Sequence, residues 1–286
     1  MKRRFGDRRD GKRVRNVDGV HHIMTYFKER NCADVYINEK IDVTELVKYM
    51  EKKKKDGKFT YFHAFATALG KVVYNKPLLN RFIANKNFYD RNEVSISFVA
   101  KTAFNDEAEE YLQVVKIEPN DNINTINKKI LEKVSQVRSS KRNSTDDAVN
   151  IIGKLPRFIR TIALKLFMWL DKHGWLPKAL VENNIYYSSI IVSNLGSINC
   201  GAIYHNLTNF GTNSAMVMIG KVQKELVLVN GKKEIRDVCD FGINLDERIA
   251  DGFYFAQSIN LFKYILQHPE LLEEDANAKV EIKKEK

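Results

Sequence analysis

The chain has 286 residues, of which 44% are hydrophobic and 10% aromatic, and its formal net charge is +11. These values are typical of a globular protein with a sizeable core and exclude an intrinsically disordered chain. No apolar run approaches the ~20 residues that a membrane-spanning helix needs. The N-terminus lacks the apolar segment of a signal peptide. The three cysteines are widely spaced and are interpreted as reduced thiols of a cytoplasmic protein.

The positive charge is concentrated at the N-terminus. Residues 1–16 contain eight Lys or Arg and two Asp, and a second basic cluster covers residues 52–55. Basic segments can bind phosphate backbones, but no DNA- or RNA-binding pattern accompanies these. We therefore expect a flexible basic arm over 1–16 and a charged flexible tail over 275–286, and nucleic-acid binding is not favoured.

The first half of the chain alternates between strand and helix patterns. Residues 34–39 alternate like a strand, after which Asp42 and Glu45 form a capping-box pattern that opens a helix. Residues 60–74 are nearly all apolar and predict a buried helix. Further strands are predicted over 93–101 and 110–117, a helix over 121–137 and an exposed loop over 137–147.

The second half predicts more strands than helices. Strands are expected over 186–194 and 215–220, followed by a hairpin with Asn230-Gly231 at its turn, since Asn-Gly favours a type I′ turn. A last helix is expected over 252–266. Because strands and helices do not strictly alternate, the fold class is α/β with a mixed sheet.

A seven-residue motif carries the most specific signal. Residues 246–252 read D-E-R-I-A-D-G between a strand and the last helix. Dihydrolipoamide acyltransferases carry D-H-R-x-x-D-G in this context, and chloramphenicol acetyltransferase carries a related H-x-x-x-D-G. The motif resembles both, with Glu247 in place of the histidine.

Other landmarks of these enzymes follow in the same order. They are I-D-V-T-E-L at 41–46, P-L-L-N at 77–80, S-N-L-G at 193–196, A-M-V-M-I-G at 215–220 and P-E-L-L at 269–272. Over roughly residues 23–274 the chain resembles the catalytic domain of the 2-oxoacid dehydrogenase acyltransferases, in the chloramphenicol acetyltransferase-like superfamily. We place this domain at 17–274, free-standing because no lipoyl domain precedes it.

The resemblance implies a two-layer α/β fold, with a mixed sheet backed by helices, and a homotrimer with active sites between subunits. It also implies CoA or an acyl-CoA as substrate, with a small-molecule thiol or hydroxyl as acyl acceptor. Metal, flavin and nucleotide motifs are absent from the sequence, so no metal is expected. The alternative is a catalytically silent homologue that acts as a trimeric binding or scaffold protein.

The resemblance also assigns the site residues. Glu247 takes the position of the general base, Ser193 that of the oxyanion donor and Asp251 that of the residue holding the loop, with Arg248 and Gly252 as its structural members. An ordinary glutamate, with a pKa of ~4.3, is a weak base for a thiol. Alternatively, Glu247 pairs with a basic group and transfers no proton, and Ser193 bonds the nearby turn.

Histidines elsewhere could replace the missing base. His205, in a loop after Ser193, is the first candidate, and the resemblance implies that the segment with His21 and His22 approaches the active site. His63 lies in the apolar helix and is interpreted as a satisfied core histidine.

The segment 152–182 has no counterpart in the typical family core. Its polar positions Arg157, Thr161 and Lys165 lie opposite an apolar stripe of Phe158, Ile159, Ile162, Leu166 and Trp169. Such a helix can lie on a membrane surface, cover a groove as a lid or pack between subunits. Packing is the favoured interpretation.

Overall fold

The fold is built on a mixed six-stranded sheet. A computed structural model of the chain describes residues 7–55, 57–101, 110–138 and 152–283. The strands are β1 (Gly11–Val14), β2 (Asp34–Asp42), β3 (Arg81–Ala84), β4 (Asn87–Arg91), β5 (Val94–Lys101), β6 (Glu110–Ile117), β7 (Ile190–Asn194), β8 (Ala215–Val229) and β9 (Lys232–Asp246). The large sheet has the order β2-β9-β8-β7-β5-β6, and β1, β4 and β3 form a separate three-stranded sheet. In the large sheet β7 runs parallel to both β5 and β8, whereas the other pairs are antiparallel.

Helices cover one face of the large sheet. The α-helices are α1 (Gly19–Phe27), α2 (Thr44–Lys53), α3 (Tyr61–Asn75), α4 (Ile123–Arg138), α5 (Arg157–Lys172), α6 (Lys178–Val181) and α7 (Gly252–Gln267). Short 3₁₀ helices cover Arg30–Cys32, Pro77–Asn80, Ile185–Tyr187, Leu195–Ile198 and Pro269–Glu273. The main core joins α2, α3, α4 and α7 to alternate residues of the strands, as in Phe241, which contacts the rings of Phe65 and Phe262. The predicted two-layer α/β architecture with a mixed sheet is confirmed.

The opposite face of the sheet is covered by an irregular segment, residues 200–211. A smaller apolar cluster lies there and contains Ile191, Leu207, Met216 and Met218. The segment approaches the strands so closely that a Cβ on Gly242 would stand 2.1 Å from the carbonyl oxygen of Ile203. Glycine at this position therefore lets the segment lie directly on the sheet.

The N-terminal segment differs from the flexible arm predicted for residues 1–16. Residues 11–14 form β1, which pairs with β4. Arg8 is buried and pairs with Asp10 at 2.8 Å and Asp171 at 3.3 Å. Residues 7–14 are therefore part of the folded body, because their charges find partners far along the chain, and residues 1–6 lie outside the described part.

The predicted flexible tail also needs correction. Ala276 is buried, and its N–H donates to the carbonyl of Asp121. Val280 donates to the side chain of Asn75, and the buried Lys71 donates to the carbonyl of Asp275. Residues 275–280 therefore extend the packed core.

The predicted turn at Asn230-Gly231 is confirmed, whereas the predicted capping box at the start of α2 is not. Asn230 and Gly231 both adopt positive φ angles, 50° and 78°, as a type I′ turn requires. Helix α2 begins one residue after Val43, without the predicted capping box, because Asp42 accepts hydrogen bonds from Thr44 instead. The predicted loop over 137–147 lies almost entirely outside the described residues.

The interpretation of His63 as a core histidine is confirmed. His63 is buried, and its Nδ1 accepts a hydrogen bond from the backbone N–H of Thr60 at 2.9 Å, which closes a capping box at the start of α3. Burial lowers the pKa of His63 to about 4. The folded protein therefore holds this side chain neutral under conditions in which the unfolded chain protonates it.

We expect His63 to make the fold acid-sensitive. Its folded pKa lies below the ordinary ~6.5, so the unfolded state binds more protons as the pH falls from about 6.5 to about 4. Stability should be fully present above that window and fall by up to about 3 kcal/mol through it. Urea unfolding at several pH values should show a weaker pH dependence for His63→Gln than for the wild type. The exposed His22→Gln is the matched control, and an equal effect of both variants would contradict this assignment.

Candidate functional site

The loop that follows β9, residues 246–252, is built on a buried ion pair. Asp246 is fully buried and accepts two hydrogen bonds from the side chain of Arg248, from Nε at 2.8 Å and from Nη2 at 2.7 Å. Arg30 Nε lies 3.9 Å from the same carboxylate. Bidentate geometry of this kind fixes both partners in orientation as well as in position.

Arg248 also connects residues 246–252, which we call the Glu247 loop, to the segment after α1. Arg248 Nη1 donates to the carbonyl of Lys28 at 2.9 Å, and the N–H of Glu247 donates to the carbonyl of Ala33 at 3.0 Å. Arg30 is itself buried and donates to the carbonyls of Ile83 and Gly211. Burial lowers the pKa of Arg30 to about 10, although the Asp246 carboxylate acts in the opposite direction.

The side chain of Glu247 is held by a lysine. Its Oε1 lies 2.5 Å from Nζ of Lys28, and both side chains are partly exposed, at 31% and 46%. Glu247 thus combines the two arrangements considered above, since it occupies the predicted base position and is also paired with a basic group. An ammonium group at this distance stabilises a charged carboxylate, and a general base must give up that charge when it takes a proton.

Glu247 lines an open cleft of about 510 Å³ between α1, β2 and α7. His21 lines the same cleft, together with Asp251 and Gly252. The Nδ1 atom of His21 lies 2.6 Å from Oδ2 of Asp18. Hydrogen bonds from the backbone N–H and then the ring of His21 hold the pKa of Asp18 below its ordinary value. The structure therefore brings an imidazole with a carboxylate partner into the cleft of Glu247.

Asp251 and Gly252 begin helix α7. Asp251 is the N-cap residue, and its Oδ1 accepts a hydrogen bond from the N–H of Tyr254 at 2.7 Å. A carboxylate at this position satisfies a free N–H group of the first turn and interacts favourably with the helix dipole. Asp251 thereby fixes the end of the Glu247 loop.

Ser193 lies on the face of the sheet away from the main core. It is half-buried in β7 and pairs with Met218 of β8, which in turn pairs with Gly242 of β9. In the described part of the chain its hydroxyl has no hydrogen-bond partner, and the nearby turn is bonded by Ser197 instead. Glu247 follows Gly242 by five residues, so the two site residues of one chain stand roughly 20 Å apart at ordinary strand spacings.

His205 is placed outside the Glu247 cleft. Its backbone N–H donates to Oδ1 of Asn244, and its carbonyl accepts from the same amide. His205 is exposed, and the histidine that lines the cleft is His21. The sequence signal for His21 was the resemblance, which implies that its segment approaches the active site, whereas nothing in the sequence pointed to Lys28 or Arg30.

The part of the chain that contains this site is similar to a known protein family. Residues 177–273 match the family model described as 2-oxoacid dehydrogenases acyltransferase (catalytic domain). The resemblance to the acyltransferase family is therefore confirmed in the part of the chain that contains the Glu247 loop. No curated protein matches the sequence significantly.

Solved acyltransferase structures share the fold over nearly the whole chain. A probable dihydrolipoamide acetyltransferase from Listeria monocytogenes is 19% identical, with a TM-score of 0.60 over 90% of this chain and 95% of that one. The dihydrolipoamide acetyltransferase of Azotobacter vinelandii is 14% identical, with a TM-score of 0.59 over 91% and 93%. A chloramphenicol acetyltransferase is 11% identical, with a TM-score of 0.51 over 90% and 98%. The chain thus has the chloramphenicol acetyltransferase-like fold.

Two further features bear on the site. Within the described ranges, no group of three or more His, Cys, Asp or Glu side chains is placed to hold a metal ion. Likewise, none of the helices that the structure describes is long and apolar enough to span a bilayer.

The two ion pairs of the Glu247 loop should differ sharply in their effect on stability. Arg248→Met leaves Asp246 buried without its bidentate partner and should lower the free energy of unfolding by about 3–5 kcal/mol. Lys28→Met removes only a partly exposed pair and should lower it by less than about 1 kcal/mol. Urea denaturation of both variants measures the difference, and losses of similar size would show that the Asp246 pair does not hold the loop.

Proposed function

We propose that the protein transfers an acyl group from a CoA thioester to a small thiol or hydroxyl acceptor. The observation that carries this proposal is the Glu247 loop, which keeps the Asp246–Arg248 pair and the Asp251 cap beside an open cleft. A fixed loop next to a solvent-accessible cleft is suited to orient reacting groups. Three free cysteines, two of them exposed, are consistent with a cytoplasmic location.

We further propose that the active unit is a homotrimer with its sites between subunits. The roughly 20 Å between Ser193 and Glu247 at ordinary strand spacings is too long for one chain to bring both to one reacting carbonyl. A second copy could place its Ser193 at the cleft of the first chain's Glu247. CoA would then enter the shared channel from one side and the acceptor from the other.

The reaction requires one proton acceptor and one oxyanion donor. The acceptor thiol or hydroxyl loses its proton to a base and attacks the thioester carbonyl, which forms a tetrahedral oxyanion. The unpartnered hydroxyl of Ser193 is suited to donate to that oxyanion, a contact worth about 3–4 kcal/mol in comparable sites. The intermediate then collapses, the carbon–sulfur bond breaks, and the CoA thiolate takes the proton back from the base.

We assign the base to His21 in place of Glu247. Asp18 bonds Nδ1 of His21, which leaves Nε2 as the proton-accepting atom, and histidine is the side chain that most often serves as a general base. Glu247 is paired with Lys28 and is therefore better suited to hold Lys28 in place.

A catalytically silent scaffold is the second candidate function. The ion pair between Glu247 and Lys28 favours it, because that contact removes the position-247 side chain from proton transfer. The two functions differ in whether the cleft binds CoA.

Calorimetric titration with CoA and acetyl-CoA separates these functions without knowledge of the acceptor. We expect binding at about one site per chain, retained in Glu247→Gln because that side chain is already neutralised by Lys28. The absence of binding at millimolar ligand would remove the support for CoA-dependent transfer and leave the scaffold function.

The base assignment predicts a contrast between two cleft residues. With dihydrolipoamide as the first acceptor tested, His21→Asn should slow CoA formation from acetyl-CoA by about 10²–10⁴-fold, the usual contribution of a general base. Glu247→Gln should change the rate by less than about tenfold. His22→Asn, next in the chain and exposed, is the matched control. A large loss in Glu247→Gln and none in His21→Asn would return the role to Glu247.

A further inference from the structure

Helix α5 exposes a second apolar face that none of the described residues covers. The helix contacts the body through Ala163, Phe167, Leu170 and Asp171, which are half-buried or buried. The predicted apolar stripe, in contrast, is largely exposed, and we call it the outer face: Phe158, Ile159, Ile162, Leu166 and Trp169. Ile162 is 64% exposed and Phe158 68%. Single exposed apolar residues are ordinary, but a continuous row of five on one helix is typical of an interaction surface.

Basic side chains border the outer face. At 100° per residue, Lys165 and Lys172 lie along one edge of the apolar arc, and Arg157 lies beyond them. All three are exposed, and none has an acidic partner among the residues that the structure describes. The acidic residue of the helix, Asp171, is turned inward and pairs with Arg8. The exposed part of α5 is therefore apolar and cationic without compensating negative charge.

Tryptophans mark the C-terminal end of the same surface. Trp169 and Trp175 are each 48% exposed and meet edge to face, with ring centroids 5.2 Å apart. Indole rings have an apolar body and a polar N–H, and they are enriched where hydrocarbon meets water. Nearby, Tyr26 and Phe27 of the α1 end line one cleft together with Met168 and Trp169, so the apolar surface continues onto α1.

We propose that the outer face of α5 docks onto an anionic membrane surface, with the helix lying in the plane of the interface. A 16-residue helix is about 24 Å long, too short to span a bilayer but long enough to bury one face among the headgroups. The cationic border and the net charge of +11 are attracted to anionic lipid. The cationic border disfavours a second copy as the occupant of this face, because the lysines of two copies would meet there and lysine is depleted at protein interfaces. This replaces the packing interpretation favoured from the sequence.

Vesicle sedimentation with the full chain tests the proposal. The protein should sediment with vesicles of phosphatidylcholine mixed with phosphatidylglycerol and much less with phosphatidylcholine alone. Leu166→Glu should weaken this binding by about tenfold or more, because it places a charge where docking would bury an apolar side chain. Leu228→Glu is the matched control, since Leu228 is also exposed, at 73%, but lies on the β8–β9 hairpin. The double variant Lys165→Ala, Lys172→Ala should lose most of the preference for anionic vesicles.

Several results would overturn the proposal. Binding that is absent on anionic vesicles, or equal in Leu166→Glu and Leu228→Glu, excludes the outer face as the docking surface. A fall in molecular mass of Leu166→Glu by light scattering, without vesicle binding by the wild type, would assign the face to contacts between copies. CoA titration of Leu166→Glu keeps this question separate from the proposed enzymatic function, because α5 contributes no residue to the Glu247 cleft.

Discussion

The candidate site depends on one buried ion pair, between Asp246 and Arg248. A fully buried carboxylate is strongly unfavourable unless its charge is matched and its oxygens are hydrogen-bonded. Arg248 balances the charge of Asp246 and donates a hydrogen bond to each of its two oxygens. The Nη1 atom of Arg248 also donates to the carbonyl of Lys28. The end of β9, the Glu247 loop and the segment after α1 are therefore held together by one guanidinium group, and the shape of the cleft follows from it.

This arrangement fixes the backbone at position 247 independently of its side chain. The backbone of Glu247 is fixed by its N–H bond to Ala33 and by its neighbours, whichever side chain it carries. Lys28 then provides a matched environment, because its ammonium stabilises a glutamate at 2.5 Å but would repel a protonated imidazole there. Glu247 and Lys28 are thus best understood as a pair, and the proposed reaction takes its base from another part of the cleft.

The sequence predicted the parts of the fold that local signals determine. The all-apolar stretch of α3, the Asn230-Gly231 turn and the alternating strands follow from side-chain periodicity and turn chemistry. The order of the N-terminal segment could not be predicted, since Arg8 is charged and its burial depends on Asp171, more than 160 residues away. The tail likewise looked mobile because its charges are local, whereas its anchors, Asn75 and Asp121, are distant.

For the candidate site, too, the sequence predicted only the residues that local motifs indicate. Motif spacing located Glu247, Asp251 and Ser193, but it contained no information on Lys28, because a cation 219 positions away becomes a neighbour only through the fold. The sequence favoured His205 over His21, and the decisive difference is that α1 borders the cleft while the segment of His205 lies on the other face of the sheet.

Helix α5 joins the folded N-terminal segment on its inner side to an exposed apolar surface on its outer side. Its inner side holds Asp171 against Arg8, so the folded N-terminal segment and the position of the helix stabilise each other. Because that contact uses the one acidic side chain of the helix, the outer side keeps only apolar and basic groups. A helix that needed burial within its own domain would turn its widest apolar arc inward. In α5 that arc points away from the core, which is the orientation expected of a helix whose apolar partner lies outside the chain.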